Sequence, residues 1–91
     1  MQQRRAVVSV VGKDQVGIIS KVTTVISENN VNILDISQTI LQDFFTMMMI
    51  VDITQKENLD DLRQQLDELG NQLGLKINIQ LEDIFQSMHR V

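Results

Sequence analysis

The chain has 91 residues, a length that predicts one domain over residues 1–91, with its own core but only marginal stability. The composition is 43% hydrophobic and 22% charged with a net charge of -4, which is typical of a globular protein rather than a disordered or fibrous one. Because the only basic cluster is Arg4 and Arg5, no nucleic-acid partner is expected. The absence of cysteine excludes disulfides, thiolate metal sites and cysteine nucleophiles, and it fits a cytoplasmic location.

The first predicted element is a strand over residues 6–11, with the sequence AVVSVV. β-Branched residues fall on both of its faces, which predicts a central strand with little solvent contact. The run is too short to form a secretory signal or to span a bilayer, so no membrane partner is expected.

After a loop over residues 12–17, the spacing of the apolar residues changes to that of a helix. Asp14 is predicted to be the N-cap of this helix, a contribution of about 1 kcal/mol. Asn30 is predicted to end it in the left-handed conformation. The apolar face of the helix consists of Ile18, Ile19, Val22, Val25 and Ile26.

Residues 31–53 are predicted to form two strands that turn near Gln42 and Asp43. The first strand alternates imperfectly across residues 34–36, which predicts a β-bulge. Its polar residues Asp35 and Gln38, together with Asp43, are expected to protect an edge or to make interface contacts. The second strand is expected to be central, because it is apolar on one face (Phe45, Met47, Met49, Val51, Ile53) and partly apolar on the other (Phe44, Met48, Ile50).

A second amphipathic helix is predicted next, with Thr54 and Glu57 matching a capping box and with Gly70 and Gly74 marking its end. The last strand, residues 75–81, is apolar at odd positions, which predicts one buried and one solvated face. The helix has heptad-like leucines at Leu59, Leu62, Leu66, Leu69 and Leu73. The tail is expected to form a short docked helix from Ile84, Phe85, Met88 and Val91.

The order β-α-β-β-α-β predicts an α+β fold, the ferredoxin-like sandwich of a four-stranded antiparallel sheet with two helices on one face. In that topology strands one and three are central, and these are the two strands that are apolar on both faces. The helices cover only one side of the sheet, so Met48, Ile50 and part of the first strand need cover on the other side. A second subunit is the simplest cover, and we expect a homodimer or higher oligomer.

The loop between the first strand and the first helix has two explanations. Gly12 and Gly17 have the spacing of a phosphate loop, but Ile18 and Ile19 stand where lysine and a hydroxyl residue are needed, which excludes a Walker-type site. Gly17 would let a ligand approach the helix N-terminus, where free N–H groups and the helix dipole favour a carboxylate. Alternatively, the glycines serve only the turn, which is the commoner situation.

No catalytic or metal-binding set can be assembled from the sequence. His89 is the only histidine and has no nucleophile or suitably spaced carboxylate beside it. Glu82 and Asp83 lack further ligands, and the methionines at positions 47–49 alternate between faces in a strand, so the three cannot converge on one ion. The sequence therefore predicts no enzyme activity, no metal and no cofactor.

The segment VVGKDQVGIISKVTTVISENNVNILDISQT, residues 10–39, resembles the start of an ACT domain. The matching features are Gly12 at the strand end, Asp14 and Gly17 before the helix, and the motif NVNILDIS that opens the next strand. The similarity extends over nearly the whole chain. It is nearest to stand-alone ACT proteins, with a further likeness to the ACT repeats of glycine-cleavage repressors.

This resemblance implies a non-catalytic regulatory module that senses an amino acid or related metabolite at a dimer interface. In ACT domains that bind amino acids, the ligand lies between the loop after strand one and the start of strand two. Many members have Arg and Pro where this chain has Gln15 and Val16, which implies a less rigid loop. The alternative is a ligand-free interaction domain of the same fold. Carried over by position, the candidate ligand-binding residues are Gly12, Lys13, Asp14, Val16, Gly17, Asn32 and Ile33.

Overall fold

The computed structural model describes residues 4–56 and 58–83. These residues form an antiparallel sheet of four strands in the order β2-β3-β1-β4, together with two helices. The predicted ferredoxin-like order βαββαβ is confirmed, and so is the central position of the first and third strands. The elements are β1 (Arg5–Lys13), α1 (Ile18–Glu28), β2 (Asn32–Leu41), β3 (Phe44–Asp52), α2 (Asp60–Leu73) and β4 (Leu75–Leu81).

The core lies between the helices and one face of the sheet. Val8 pairs with Met49 and Val10 pairs with Met47, and all four side chains are fully buried on this helix-facing side. The helices cover this face with the residues that their 3.6-residue period predicts: Ile18, Val22 and Ile26 from α1, and Leu62, Leu66 and Leu69 from α2.

The opposite face of the sheet is covered less completely. Val7 is buried there, whereas Val11, Phe44 and Met48 are exposed by 44%, 63% and 37%. These values agree with the expectation that the second face of β1 and β3 needs further cover. The chain itself therefore buries only part of the apolar surface on this face of the sheet.

The first helix begins later than the sequence predicted. Asp14 is not its N-cap: α1 starts at Ile18, the capping position is Gly17, and among the residues that the structure describes no side chain caps the first turn. The reason is that β1 continues to Lys13, and the Asp14 N–H donates to the Asp43 carbonyl oxygen at 2.7 Å. Asp14 therefore continues the sheet instead of opening the helix.

The predicted capping box of the second helix is also wrong. The Thr54 hydroxyl donates to Asp52 Oδ1 and accepts the Arg4 N–H, while α2 begins only at Asp60. Asn58 supplies the missing acceptor, because its Oδ1 takes the Asp60 N–H at 2.8 Å. Glu57 and the predicted tail helix over Ile84, Phe85, Met88 and Val91 lie outside the described residues, as does His89.

The end of α2 matches the prediction at one of its two glycines. Gly74 is the left-handed C-cap, with φ of 69°. Gly70 lies inside the helix, where a Cβ atom would come within 2.7 Å of the Leu75 carbonyl oxygen. Gly70 thus allows close packing of α2 on β4 and does not end the helix.

Several local predictions are confirmed. Asn30 is left-handed with φ of 59°, and Gln42 makes the β2–β3 turn with φ of 57°. The β2–β3 register shifts between Ile33 and Asp35, which is the predicted bulge. β4 has the predicted bounds, and Leu75, Ile77 and Ile79 are its buried residues.

Candidate ligand-binding cleft

A cleft of about 190 Å³ opens between the β1–α1 loop, the first turn of α1 and the last part of β2. Its walls come from the loop and helix start, from two positions of β2 and from one position of β3, so residues far apart in the chain meet there. The lining residues are Asp14, Gln15, Gly17, Ile18, Ile19, Ser20, Gln38, Ile40 and Phe45.

The loop that forms one wall is held from two sides. The Asp14 N–H donates to Asp43 in the β2–β3 turn. Gln15 Nε2 donates to the Leu73 carbonyl oxygen at 2.8 Å, at the C-terminus of α2. The loop is therefore positioned by the turn on one side and by α2 on the other.

Gly17 turns the chain from this loop into α1. Its φ of 89° and ψ of 6° lie in the left-handed region, which glycine adopts without the penalty of a β-carbon. The Gly17 carbonyl oxygen accepts the Lys21 N–H at 3.0 Å and so begins the helical hydrogen bonds. Residues of the first turn of α1 line the cleft, and within residues 4–56 and 58–83 no side chain accepts from the N–H groups of that turn.

The opposite wall comes from the helix-facing side of β2. Gln38 pairs with Met47 and Ile40 pairs with Phe45, and directly paired residues point to the same face of a sheet. Phe45 is 3% exposed and closes the floor, whereas Ile40 is 54% exposed at the rim. The wall is thus largely apolar, with the amide of Gln38 set into it.

Three polar side chains of the cleft are free to bind a ligand. Within the described residues, the Asp14 carboxylate, the Ser20 hydroxyl and the Gln38 amide have no hydrogen-bond or ion-pair partner. The carboxylate can accept from an ammonium group, and the first-turn N–H groups can donate to a carboxylate. This combination matches the two charged ends of a free amino acid.

The structure brings only part of the predicted site together. Asp14 and Gly17 line the cleft, but Lys13 and Val16 do not, and Val16 is 98% exposed beside it. Gly12 belongs to β1, where a Cβ atom would collide with the side chain of Leu75 and come within 3.2 Å of its Cα. Packing against the α2–β4 corner is thus a sufficient reason for this glycine.

Asn32 and Ile33 lie at the far end of β2. Asn32 pairs with Asp52, whereas the cleft is at the level of the Ile40–Phe45 pair. Ile40 is seven positions after Ile33, so the two residues are roughly 23 Å apart along the strand. A single chain does not bring Asn32 and Ile33 to its own cleft.

Seven residues of the cleft are not among the predicted ligand-binding residues: Gln15, Ile18, Ile19, Ser20, Gln38, Ile40 and Phe45. Only one signal in the sequence pointed toward any of them. Gln38 interrupts the row Ile36, Gln38, Ile40, in which an apolar residue would continue the pattern. The other residues enter the cleft through strand pairing, which has no local signature.

A second, wider depression of about 550 Å³ lies between the start of α2 and β4. Its two arginines are already engaged: Arg4 Nη1 donates to the Lys56 carbonyl oxygen, and Arg63 Nη2 donates to the Ile79 carbonyl oxygen. Arg63 also lies 3.9 Å from the Asp60 carboxylate. Because both guanidinium groups are engaged within the chain, the cleft beside α1 is the better candidate.

Residues 4–56 and 58–83 contain neither a candidate metal site nor a candidate membrane-spanning helix. No group of three or more His, Asp or Glu side chains there could hold a metal ion. None of the described helices combines the length and the apolar character that crossing a bilayer requires.

Comparison with known proteins identifies the family. The model of the ACT domain family matches residues 4–80. The chain belongs to the ACT domain family. A UPF0237 protein of Clostridium acetobutylicum is 49% identical over 88 residues, which cover 96% of this chain and 99% of that protein.

Solved structures agree with this assignment. An ACT domain protein from Streptococcus pneumoniae is 42% identical, with a TM-score of 0.80 over 93% of this chain and 97% of that one. A protein assigned as a glycine cleavage system transcriptional repressor is 20% identical, with a TM-score of 0.68 over 89% of this chain and 47% of that one. The second likeness concerns the fold alone, and it is the similarity to such repressors that the sequence indicated.

Proposed function

We propose that this ACT domain is a non-catalytic regulatory module that binds an amino acid or a related small metabolite at a dimer interface. The observation that carries the proposal is the cleft beside α1, where a free carboxylate and uncapped helix N–H groups surround an apolar floor. Membership of the ACT family supports a regulatory role.

The cleft suits the two charged ends of an amino acid. The Asp14 carboxylate would accept from the ligand ammonium, and the first turn of α1 would donate to the ligand carboxylate. A volume of about 190 Å³ is below the 300 Å³ or more that is usual for drug-sized ligands, so a small metabolite is the better fit.

A second copy would complete the site. The β1–α1 loop and residues Asn32 and Ile33 lie at opposite ends of β2, which is an edge strand. If two copies pair their β2 edges around a two-fold axis, the end of one strand lies beside the start of the other. The loop of one copy would then face Asn32 and Ile33 of the second copy.

A thermal-shift screen of the twenty amino acids, followed by calorimetry, tests the proposal. A ligand at 100 times its dissociation constant should add about 2.7 kcal/mol to the free energy of unfolding. Asp14→Asn removes the charge that would bind the ammonium, so we expect affinity to fall about 1.5- to 5-fold. Asp67→Asn, the same change at another exposed aspartate that lies outside the cleft, should leave affinity unchanged.

The second candidate function is a ligand-free dimerisation domain, which the exposed apolar residues of β2 and β3 favour. The same screen separates the two. Stabilisation by no amino acid, in a protein that scatters light as a dimer, would favour the interaction domain. Equal affinity for wild type and Asp14→Asn would place the ligand away from this cleft.

A further inference from the structure

We propose that Gln38 makes the cleft selective for amino acids with an uncharged polar side chain, such as asparagine or threonine, over aliphatic amino acids of the same shape. This inference rests on the proposed function and narrows its ligand class. Gln38 is not among the residues that the family resemblance assigns to the site.

The register of β2 aims Gln38 into the cleft. Its partner Met47 is fully buried in the core, so the glutamine side chain lies on the helix-facing side of the sheet. On either side along the same row lie Ile36 and Ile40, and across the cleft lies Ser20. Gln38 is thus the polar group of an otherwise apolar β2 wall.

The amide of Gln38 is not used by the fold. It has no hydrogen-bond partner in residues 4–56 and 58–83. The amide of Gln15, on the opposite wall, donates to Leu73 and is committed to holding the loop. Gln38 therefore keeps both a donor and an acceptor for a ligand.

A bound ligand would cover this amide and separate it from water. A ligand side chain with a hydroxyl or amide group would replace the lost hydrogen bonds, whereas an aliphatic side chain would leave them unmade. One neutral hydrogen bond of about 1 kcal/mol corresponds to roughly fivefold in affinity. This difference in affinity depends on the side chain of the ligand and not on how its ammonium and carboxylate groups are bound.

Calorimetry with two pairs of similar shape tests the inference: L-asparagine against L-leucine, and L-threonine against L-valine. For the wild-type chain we expect the polar member of each pair to bind roughly fivefold more tightly. Gln38→Met keeps the length of the side chain but removes the amide, so the preference should vanish or reverse. Gln72→Met, the same change at an exposed position of α2 outside the cleft, should keep the wild-type preference.

The outcomes separate this inference from the proposed function. If amino acids bind but wild type favours leucine and valine, or Gln38→Met keeps the wild-type preference, the selectivity role is overturned and the binding role stands. If none of the four amino acids, nor any other in the screen, binds the wild-type chain, both proposals are overturned together.

Discussion

Asp14 and Asn58 are two polar residues near helix starts, and they have opposite structural roles. Asp14 precedes α1 but its carboxylate has no partner within the described residues. Asn58 precedes α2 and accepts the Asp60 N–H at 2.8 Å. Residue type predicted a side-chain cap at the first position, whereas the structure has a side-chain acceptor for a helix N–H only at the second, one residue before the N-cap position Leu59.

This difference predicts how two alanine substitutions affect stability. Asp14→Ala removes an exposed side chain without a partner, so the free energy of unfolding should change by less than about 0.5 kcal/mol. Asn58→Ala removes the acceptor at the start of α2 and should cost about 0.5–2 kcal/mol. Urea denaturation measures both.

Asn58→Asp is the control, because aspartate caps a helix about as well as asparagine and should preserve stability. A loss for Asp14→Ala as large as that for Asn58→Ala would show that Asp14 stabilises the fold. Its proposed role in ligand binding would then not be separable from a structural one.

At the scale of elements, Asn29 connects the two helices. It is 9% exposed and lies directly after α1. Its Nδ2 donates to the Val25 carbonyl oxygen at 2.7 Å and to Gln65 Oε1 of α2 at 3.0 Å, and its Oδ1 accepts from Lys56 Nζ at 3.1 Å. One buried amide thus links the end of α1 to α2 and to the segment before it.

We expect Asn29→Ala to cost about 1–3 kcal/mol, because its partners are left partly buried with unmade hydrogen bonds. Asn71→Ala, at an exposed position of α2, is the control and should be neutral or slightly stabilising. Adding Gln65→Ala to Asn29→Ala should cost less than the two single losses combined, since both changes remove one shared bond. Strict additivity would contradict this link.

At the scale of the whole molecule, the two edges of the sheet differ. On the edge strand β4, Arg63 Nη2 donates to the Ile79 carbonyl oxygen at 3.3 Å. A side chain of α2 thus already satisfies one backbone acceptor of this edge. In the described residues no side chain makes a comparable bond to the backbone of β2. β2 also exposes Leu34, Ile36, Ile40 and Leu41 by 40% or more. An open, apolar edge is the kind that pairs with another chain.

This asymmetry predicts a dimer or larger assembly that forms through β2. Light scattering at micromolar concentration should give at least twice the 10.4 kDa mass of one chain. Ile36→Lys places a charge on the β2 edge, at a position that is already 41% exposed, and should shift the protein toward monomer.

Asn78→Lys is the matched control, because it places the same charge at an exposed position of the opposite edge strand, β4, and should leave the mass unchanged. Circular dichroism confirms that each variant is folded. A monomeric wild-type chain would remove the support for a shared site, and dissociation by Asn78→Lys alone would assign the interface to β4.

Much of the fold was determined by the sequence itself. Alternation with a period of two identified β4 to the residue, and doubly apolar runs identified β1 and β3 as central. Imperfect alternation located the β2 bulge, and the 3.6-residue spacing of leucines identified the buried face of α2. These features are readable because burial of one face repeats along the chain at a short, regular period.

Tertiary structure decided where the helices begin and which residues line the cleft. β1 continues through Lys13 because that residue pairs with Phe44, and this pairing displaces the start of α1 from Asp14 to Ile18. Gln38 lines the same cleft as the first turn of α1 because β2 pairs with β3, where the partner of Gln38 is the buried Met47. Such placements depend on contacts between residues distant in the chain, and no local periodicity records them. The residues of the β1–α1 loop could therefore be identified from the sequence, whereas the β2 residues of the opposite wall could be identified only from the folded sheet.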